Sequence, residues 1–225
     1  MLSVRTLLSA FTVAVVSLAA FSRAEEEPSP PPATAPAAMP GLKVGDTAPD
    51  AQVALPSGTP VQLAEVYAKG PVVLVFYRGG WCPYCNKQLA GWDEQLSKVA
   101  SFGAIVMAIT PEGPEFIKKT TVDQKLRYGI LSDYKNEAAE AFGIGFEMPP
   151  ELQEKYKGYG VDLAAHNWDK SWKLPHPAVY VVDREAKVRY AYCNEDYKVR
   201  ADINEVLGVL KQMAEERNAA LKKKP

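Results

Sequence analysis

Residues 72–85 read VVLVFYRGGWCPYC, and this stretch decides the fold. The run Val72–Tyr77 is continuously apolar and rich in β-branched residues; it follows Gly70-Pro71 and ends shortly before Gly79-Gly80. An apolar run bounded by turn residues predicts a buried central strand. Pro83 stands where proline favours the first turn of a helix. The stretch therefore predicts a strand, a tight turn and a helix, with a Cys-x-x-Cys pair at the junction.

The residues on both sides of this unit predict further strands and helices in alternation. Leu89, Trp92, Leu96 and Val99 recur at the spacing of one helix face. Strands are also predicted at 104–109, 178–182 and 187–192, and a short strand is predicted to end at 130–131. Helices are predicted at 116–126, 137–142, 151–156 and 203–213. Apart from its one short helix, residues 146–174 predict an irregular insertion before the C-terminal hairpin. Because alternating strands and helices form parallel pairs, we expect an α/β fold with a central mixed β-sheet flanked by helices.

The two ends of the chain lie outside this predicted domain. Residues 1–24 combine a basic start, an apolar run and small residues at a cleavage position, which is the layout of a secretory signal peptide. An uncleaved anchor helix is the alternative, although the apolar run is short for the roughly 20 residues that span a bilayer. Residues 25–40 are rich in Pro and Ala and predict a disordered linker, 41–216 form the domain, and 217–225 form a basic tail. We expect an exported, periplasmic or secreted protein without stable membrane insertion after signal cleavage.

Composition and charge argue against several classes of function. The chain has 225 residues, a formal net charge of −1 and two histidines. There is no excess of basic residues that would attract nucleic acid, and so few histidines disfavour a histidine-rich metal site. We expect no nucleic-acid partner, no metal and no cofactor.

Cys82 is the predicted nucleophile because its sulfur stands at the start of the predicted helix. Unpaired N–H groups and the helix dipole at that position stabilise a thiolate, the reactive form of cysteine. Lowering a cysteine pKa from about 8.5 to roughly 6 requires about 3.4 kcal/mol, whereas the dipole supplies about 0.3–2 kcal/mol. A positive side chain is therefore needed, and Arg78 is the first candidate and Lys87 the second. We expect Cys82 to be exposed, so that it can attack a substrate.

Cys85 follows one helical turn after Cys82, a separation that suits a disulfide. It shares a helix face with Leu89, so we expect it to point towards the core and to close a disulfide after Cys82 has reacted. Two other interpretations of the pair are half of a zinc site and a structural disulfide. A zinc site needs further ligands, and one cysteine and two histidines are left in the chain. A structural disulfide here closes too short a loop to stabilise the fold much, so redox chemistry is favoured.

Four segments resemble the alkyl hydroperoxide reductase/thiol-specific antioxidant (AhpC/TSA) group of peroxiredoxin-like proteins, in the thioredoxin-like superfamily. They are VGDTAPD at 44–50, FYRGGWCPYC at 76–85, the pair ITP at 109–111 and LSD at 131–133, and LPHPAVYVVD at 174–183. The matches spread over nearly the whole predicted domain. The resemblance implies a thioredoxin-like fold.

The same resemblance implies a thiol-dependent peroxidase that serves cell redox homeostasis. Cys82 would be the peroxidatic cysteine, oxidised by a hydroperoxide to sulfenic acid, and Cys85 would resolve it as a Cys82–Cys85 disulfide. A thioredoxin-like dithiol would then reduce the pair. Pro177 would be a cis-proline that faces the cysteines. The remaining residues expected to support the active site are Arg78, Trp81, Pro83 and Tyr84.

The sequence departs from the family pattern at two positions before Cys82. Standard peroxiredoxins place a proline seven residues and a threonine three residues before the peroxidatic cysteine, and here Val75 and Gly79 occupy those positions. The threonine hydroxyl that helps to orient the peroxide is therefore missing. An alternative function is an exported thiol–disulfide oxidoreductase that acts on protein cysteines, and a third is a binding module without turnover. The peroxidase is favoured because the resemblance covers the whole domain.

Five further residues each allow two interpretations. Trp81 and Tyr84 flank the cysteines and form either a substrate platform or a cover. His176 could lie near the sulfurs, although a surface turn is favoured, and His166 belongs either to a lid or to simple packing. Cys193 could be a second resolving thiol, although a small buried apolar residue is favoured.

Overall fold

The computed structural model describes residues 40–222. The predicted signal peptide, nearly all of the predicted linker and residues 223–225 lie outside the described residues. The strands are β1 (Gln52–Ala54), β2 (Pro60–Gln62), β3 (Val72–Phe76), β4 (Ile105–Thr110), β5 (Gly129–Ser132), β6 (Gly145–Glu147), β7 (Lys173–Pro175), β8 (Ala178–Val182) and β9 (Val188–Cys193). The helices are α1 (Leu63–Lys69), α2 (Pro83–Glu94), α3 (Leu96–Ser101), α4 (Pro114–Asp123), α5 (Glu137–Ala141), α6 (Pro150–Gly158), α7 (Leu163–His166) and α8 (Ile203–Lys222).

A seven-stranded mixed sheet forms the centre of the domain, in the order β2-β1-β5-β4-β3-β8-β9. Strands β3, β4 and β5 run parallel, while β8 pairs antiparallel with both β3 and β9. The predicted α/β fold with a mixed sheet and helices on its faces is confirmed. Because β3, β4 and β5 run in the same direction, their carboxyl ends meet at one edge of the sheet, where ligands and catalytic groups of open α/β folds gather.

Strand β3 holds the middle of the sheet because every one of its residues is apolar and fully buried. Its side chains alternate between two cores. Val73 and Val75 face the core built with α2, α3, α4 and α8, whereas Leu74 and Phe76 face the core built with α1 and α5. Burial on both faces explains why the strand reads as an unbroken apolar run.

The helix predicted after Pro83 is divided in two. Helix α2 ends at Glu94, and Gln95, at φ −98° and ψ 0°, separates it from α3. The predicted apolar face continues across this break, since Leu89, Trp92 and Val99 all pack in one core. Three short elements near the N-terminus of the domain, β1, β2 and α1, were not predicted. The two strands have three residues each and the helix has seven, so each is too short for its periodicity to be recognised.

The insertion is more regular than expected. Its strands β6 and β7 pair antiparallel, with Phe146 opposite Leu174, and its helices α6 and α7 lie between them in sequence. Met148, Leu163 and Leu174 form a small third core beneath these elements. The insertion is thus a packed subdomain that can position side chains firmly.

The C-terminal helix α8 is longer than predicted. It packs Val206, Leu207 and Leu210 against the sheet and continues to Lys222, so residues 217–222 of the expected basic tail are helical. Within the described range 40–222, no helix combines the length and the apolar content needed to cross a membrane.

Candidate active site

The turn between β3 and α2 places Cys82 at the N-terminus of α2, as predicted. The Cys82 backbone is extended (φ −93°, ψ 115°), and Pro83 is the first residue of the helix. The N–H of Cys82 donates to the carbonyl of Gly79 at 3.2 Å, and its carbonyl accepts from the N–H of Asn86 at 3.1 Å. These two bonds fix the direction in which the sulfur leaves the backbone.

The two glycines before Cys82 are required by close packing. A Cβ atom on Gly80 would lie 1.9 Å from Oγ1 of Thr120, and one on Gly79 would lie 2.2 Å from the indole nitrogen of Trp81 and 2.9 Å from Glu112. The departure from the family pattern at Gly79 therefore has a steric reason. A threonine at this position would collide with the Trp81 ring.

Glu112 ties the turn to the insertion. Its carboxylate is buried, accepts from the N–H of Gly80 at 2.8 Å and lies 3.2 Å from Nδ1 of His166. The His166 ring stacks on Phe116, with 4.0 Å between the ring centroids. His166 thus packs against the support of the turn, in agreement with the packing interpretation.

The Cys82 sulfur is surrounded by groups that stabilise its thiolate. A hydrogen bond from the Cys85 thiol has the largest effect, and the guanidinium of Arg78 adds charge attraction and a hydrogen bond at 3.5 Å from Nη2. Burial of Cys82 opposes these effects, but the balance lowers its pKa to about 5. Arg78, the first predicted cation, therefore contacts the sulfur, whereas Lys87 is exposed and among the described residues has no hydrogen bond to either sulfur.

Cys85 has the opposite character. Burial and the neighbouring Cys82 raise its pKa well above the ordinary value, and the charges of Arg200 and Arg78 only partly offset this. All three cysteines of the chain are free thiols in this structure. The pair is therefore poised with one thiolate and one thiol, the asymmetry that a nucleophile and a second, resolving sulfur require.

The expectation that Cys82 is exposed is wrong: both Cys82 and Cys85 have 0% exposure. Trp81, Tyr84 and Tyr197 pack in or against the core that contains both cysteines, and Tyr156 packs edge-on against Trp81. We call these four residues the aromatic cover. Arg78 holds the cover together. Its guanidinium carbon lies 3.9 Å from the ring centroid of Tyr197 and 4.9 Å from that of Trp81, and its Nη1 donates to the Tyr156 hydroxyl at 2.9 Å. Trp81 and Tyr84 thus belong to a cover in this structure.

Two other expectations around the cysteines need correction or refinement. The expected cis-proline is wrong, since residues 40–222 contain no cis peptide bond and Pro177 follows a trans bond. The trans form is intrinsically favoured by about 0.5–1 kcal/mol, and here the Pro177 carbonyl accepts from Asn194 while the N–H of His176 donates to Ile144. His176, for which the sequence favours a surface turn, is instead half-buried. Its ring stacks on Phe146, with 4.4 Å between the ring centroids.

Cys193 lies on the other face of the sheet from the redox pair. It packs in the core that contains Leu74 and Phe76, whereas Cys82 and Cys85 pack in the core that contains Val73 and Val75. Its pairing with Ala178 at the end of β9 does bring it to the active-site end of the sheet. The side-chain alternation of the strand, however, directs the sulfur away from Cys82, which supports the small buried apolar residue over the second resolving thiol.

Sequence reasoning missed four residues of the site: Glu112, Tyr156, Tyr197 and Arg200. One signal could have found Glu112, because an acidic residue directly after a parallel strand stands at the edge where functional groups collect. The other three come from the insertion and from the segment between β9 and α8, where no period or spacing relates them to the cysteines. Among the described residues, no group of three or more His, Cys, Asp and Glu side chains is arranged to hold a metal ion.

A sequence model of the AhpC/TSA family matches residues 44–191. The chain is 27% identical over 169 residues to the chloroplastic peroxiredoxin Q of Sedum lineare, covering 75% of this chain and 78% of that protein. It is 24% identical over 173 residues to peroxiredoxin Bcp of Escherichia coli K12, covering 77% and 98%. The crystal structure of peroxidoxin BcpB from Mycobacterium tuberculosis superposes with a TM-score of 0.61 at 22% identity, covering 76% of this chain and 97% of that one. This last likeness concerns the fold.

Proposed function

The chain belongs to the AhpC/TSA family and is an oxidoreductase, a thiol-dependent peroxidase, and from this premise we propose that Cys82 is the peroxidatic thiol and Cys85 the resolving one. The observation that carries the proposal is the buried Cys82 sulfur, which accepts hydrogen bonds from Arg78 and from Cys85 and has its pKa lowered to about 5. At neutral pH this sulfur is a thiolate. The thiolate is the form that attacks a peroxide.

The first step follows from this charge state. The Cys82 thiolate attacks one oxygen of the hydroperoxide, the O–O bond breaks, and the other oxygen takes a proton and leaves as an alcohol or water. Negative charge moves from sulfur to oxygen during the attack. The guanidinium of Arg78, fixed beside the sulfur, can stabilise that charge without reorganising.

Arg78 and Tyr156 together take the place of the missing threonine. The Tyr156 hydroxyl accepts a hydrogen bond from Arg78, so its own proton is directed elsewhere and can be donated to a peroxide oxygen. A threonine side chain does not fit at position 79 because it would collide with Trp81. Helix α6 of the insertion instead brings the Tyr156 hydroxyl to the guanidinium of Arg78. This substitution accounts for a peroxidase site without the usual threonine.

The aromatic cover favours small peroxides. With Cys82 fully buried, a substrate reaches the sulfur only when cover side chains move, and a bulky peroxide requires a larger opening. We expect hydrogen peroxide to react faster than cumene hydroperoxide. The thiol–disulfide oxidoreductase is not favoured, because the relatives of the chain are peroxiredoxins.

A quenched-flow experiment tests the peroxidase step. Reduced protein is mixed with hydrogen peroxide, and Cys82 oxidation is followed by mass spectrometry of quenched samples with dimedone as the sulfenic acid trap. We expect oxidation far faster than that of free cysteine in the wild type, none at this position in Cys82→Ser, and a trapped sulfenic acid in Cys85→Ser. A wild-type rate equal to that of free cysteine would rule out the proposal.

We further propose that a thioredoxin-like dithiol reduces the oxidised pair and that the chain works outside the cytoplasm. Support for export comes from the sequence of residues 1–24, which has the layout of a cleavable signal. Expression in a bacterial host with mass spectrometry of the periplasmic fraction tests export. A mature chain beginning at Glu25 is expected, and a full-length chain in the cytoplasmic fraction would contradict export.

A further inference from the structure

Arg200 contacts the second sulfur of the pair. It lies in the segment between β9 and α8, and its Nη2 donates to the Cys85 sulfur at 3.5 Å. Its Nη1 lies 3.3 Å from Oε1 of Gln88, a buried residue of α2 on the turn after Cys85. Two points on the helix therefore hold the guanidinium against the sulfur.

The two sulfurs thus have separate cations. Arg78 donates to Cys82 and Arg200 donates to Cys85. The thiolate at Cys82 is already stabilised before any substrate arrives. Cys85 is a buried thiol, and it has to become a thiolate, or leave as one, in every turnover that passes through the disulfide.

We propose that Arg200 is a catalytic residue of the disulfide half-reactions, in which it stabilises the Cys85 thiolate as it forms the bond to Cys82 and as it leaves again. The proposal rests on the proposed function. No other described cation hydrogen-bonds to Cys85.

The resolving step balances as follows. Cys85 loses its proton, its sulfur attacks the sulfur of the Cys82 sulfenic acid, the S–S bond forms and the S–O bond breaks. The departing hydroxide takes up a proton and leaves as water. Cys82 is reduced from sulfenic acid, Cys85 is oxidised, and the positive charge of Arg200 lies beside the sulfur that carries the transient negative charge.

The reductive step uses the same contact in reverse. A thiolate of the external dithiol attacks the Cys82 sulfur, the S–S bond breaks, and Cys85 leaves as a thiolate next to Arg200. The second thiol of the reductant then attacks the mixed disulfide and releases Cys82 as a thiolate next to Arg78. Because a good leaving sulfur speeds thiol–disulfide exchange, Arg200 also directs the incoming reductant to Cys82.

The test separates peroxide attack from resolution in Arg200→Met, which keeps an unbranched side chain but removes the guanidinium group and its charge. Reduced protein is mixed with one equivalent of hydrogen peroxide, and the sulfenic acid and disulfide forms are counted by mass spectrometry at successive times. We expect sulfenic acid to form at the wild-type rate and disulfide to form about 10- to 100-fold more slowly, the range for losing a hydrogen bond to a charged group. Arg200→Lys should recover part of the rate, and the pH dependence of disulfide formation should shift to higher pH in Arg200→Met.

Lys87→Met is the matched control. It removes an exposed cation from α2, the helix that carries Cys85, and Lys87 has no hydrogen bond to either sulfur among the described residues. It should resolve at the wild-type rate. Equal resolution rates in wild type and Arg200→Met, or equal slowing of both steps, would overturn the proposal. Circular dichroism checks that each variant is folded, and Arg200→Gln, which also removes the charge, takes the place of Arg200→Met in the same measurements if Arg200→Met does not fold.

Reduction of the pair provides an independent arm. The disulfide form, prepared with diamide, is treated with dithiothreitol, and we expect slower reduction in Arg200→Met than in wild type and in Lys87→Met. A wild-type protein that forms no sulfenic acid would overturn the proposed peroxidase function. The dithiothreitol arm would still decide the role of Arg200, so the two failures are distinguishable.

Discussion

Two buried cysteines at the same end of the sheet have opposite acidities. Cys82, on the α2 face, has its pKa lowered to about 5, and Cys193, on the other face, has its pKa raised to about 12 by burial and by the nearby charge of Glu195. Both side chains are almost inaccessible. Burial therefore raises the pKa of both thiols, and at Cys82 the hydrogen bonds and charge supplied by Cys85 and Arg78 reverse the effect.

The pH dependence of stability should separate these two environments most strongly. The folded pKa of Cys82 lies below the unfolded value of about 8.5, so its contribution to stability is present above that value and is lost as pH falls through about 5. Within this window the reduced protein should gain up to about 1.4 kcal/mol of unfolding free energy per pH unit. Cys85, whose pKa is raised, opposes the gain only above the unfolded pKa.

Urea unfolding under reducing conditions measures this gain. The free energy of unfolding of wild type minus that of Cys82→Ser should rise with pH across the window, because other titrating groups cancel in the difference. The same subtraction with Cys193→Ser should be flat there. A difference for Cys82→Ser that does not change with pH would show that ionisation of Cys82 contributes no more to stability in this window than ionisation of Cys193.

Loss of Arg78 should move Cys82 towards the condition of Cys193. In Arg78→Met we expect the pKa of Cys82 to rise and the second-order rate with hydrogen peroxide at neutral pH to fall about 10- to 100-fold, because a charged hydrogen bond is lost. Arg78→Lys should lose less, since it keeps the charge. An unchanged rate in Arg78→Met, measured by stopped flow, would mean that the guanidinium does not stabilise the thiolate.

Glu112 should affect the site through the backbone of the turn. Glu112→Ala leaves the N–H of Gly80 without its carboxylate acceptor, which should lower the unfolding free energy by about 1–3 kcal/mol and slow peroxide reduction. Glu112→Gln retains an acceptor for this N–H, so it should lose less unfolding free energy and less peroxide reduction activity than Glu112→Ala. Equal losses in the two variants, by urea unfolding and by peroxide consumption, would exclude this hydrogen bond as the cause.

Cys193 should contribute to packing alone. Cys193→Ala should leave the rates of sulfenic acid and disulfide formation within about twofold of wild type and lower stability by about 1 kcal/mol, the usual effect of a small core truncation. The measurements are the peroxide single turnover and urea unfolding. A substantially slower turnover would instead support the second resolving thiol.

The features encoded within one local segment could be predicted from the sequence. Strand β3, the helix after Pro83, the position of Cys82 at its start and the proximity of Arg78 all follow from residues 72–85. An apolar run, a glycine turn and a proline act over a few residues, so periodicity and turn chemistry are sufficient to recognise them. The family resemblance then extended this unit to the whole domain.

The features assembled from distant segments could not be predicted. Tyr156 contacts Arg78, and Arg200 contacts Cys85, each from a position more than 70 residues further along the chain. Packing, which has no short-range signature, brings them there. The burial of Cys82 has the same cause, since Tyr156 and Tyr197 help to form its cover. The expected cis bond at Pro177 came from the resemblance, and the backbone hydrogen bonds around it are made with a trans bond.

Titration of the thiolate by its ultraviolet absorbance tests the central claim most directly. Reduced wild type, Cys82→Ser and Cys85→Ser are titrated in parallel, and the wild-type minus Cys82→Ser difference isolates the sulfur at the start of α2. We predict one thiolate per chain that appears with a midpoint near pH 5 and is absent from Cys82→Ser. A midpoint at or above about 8, the range of a free thiol, would contradict a peroxidatic thiolate at Cys82.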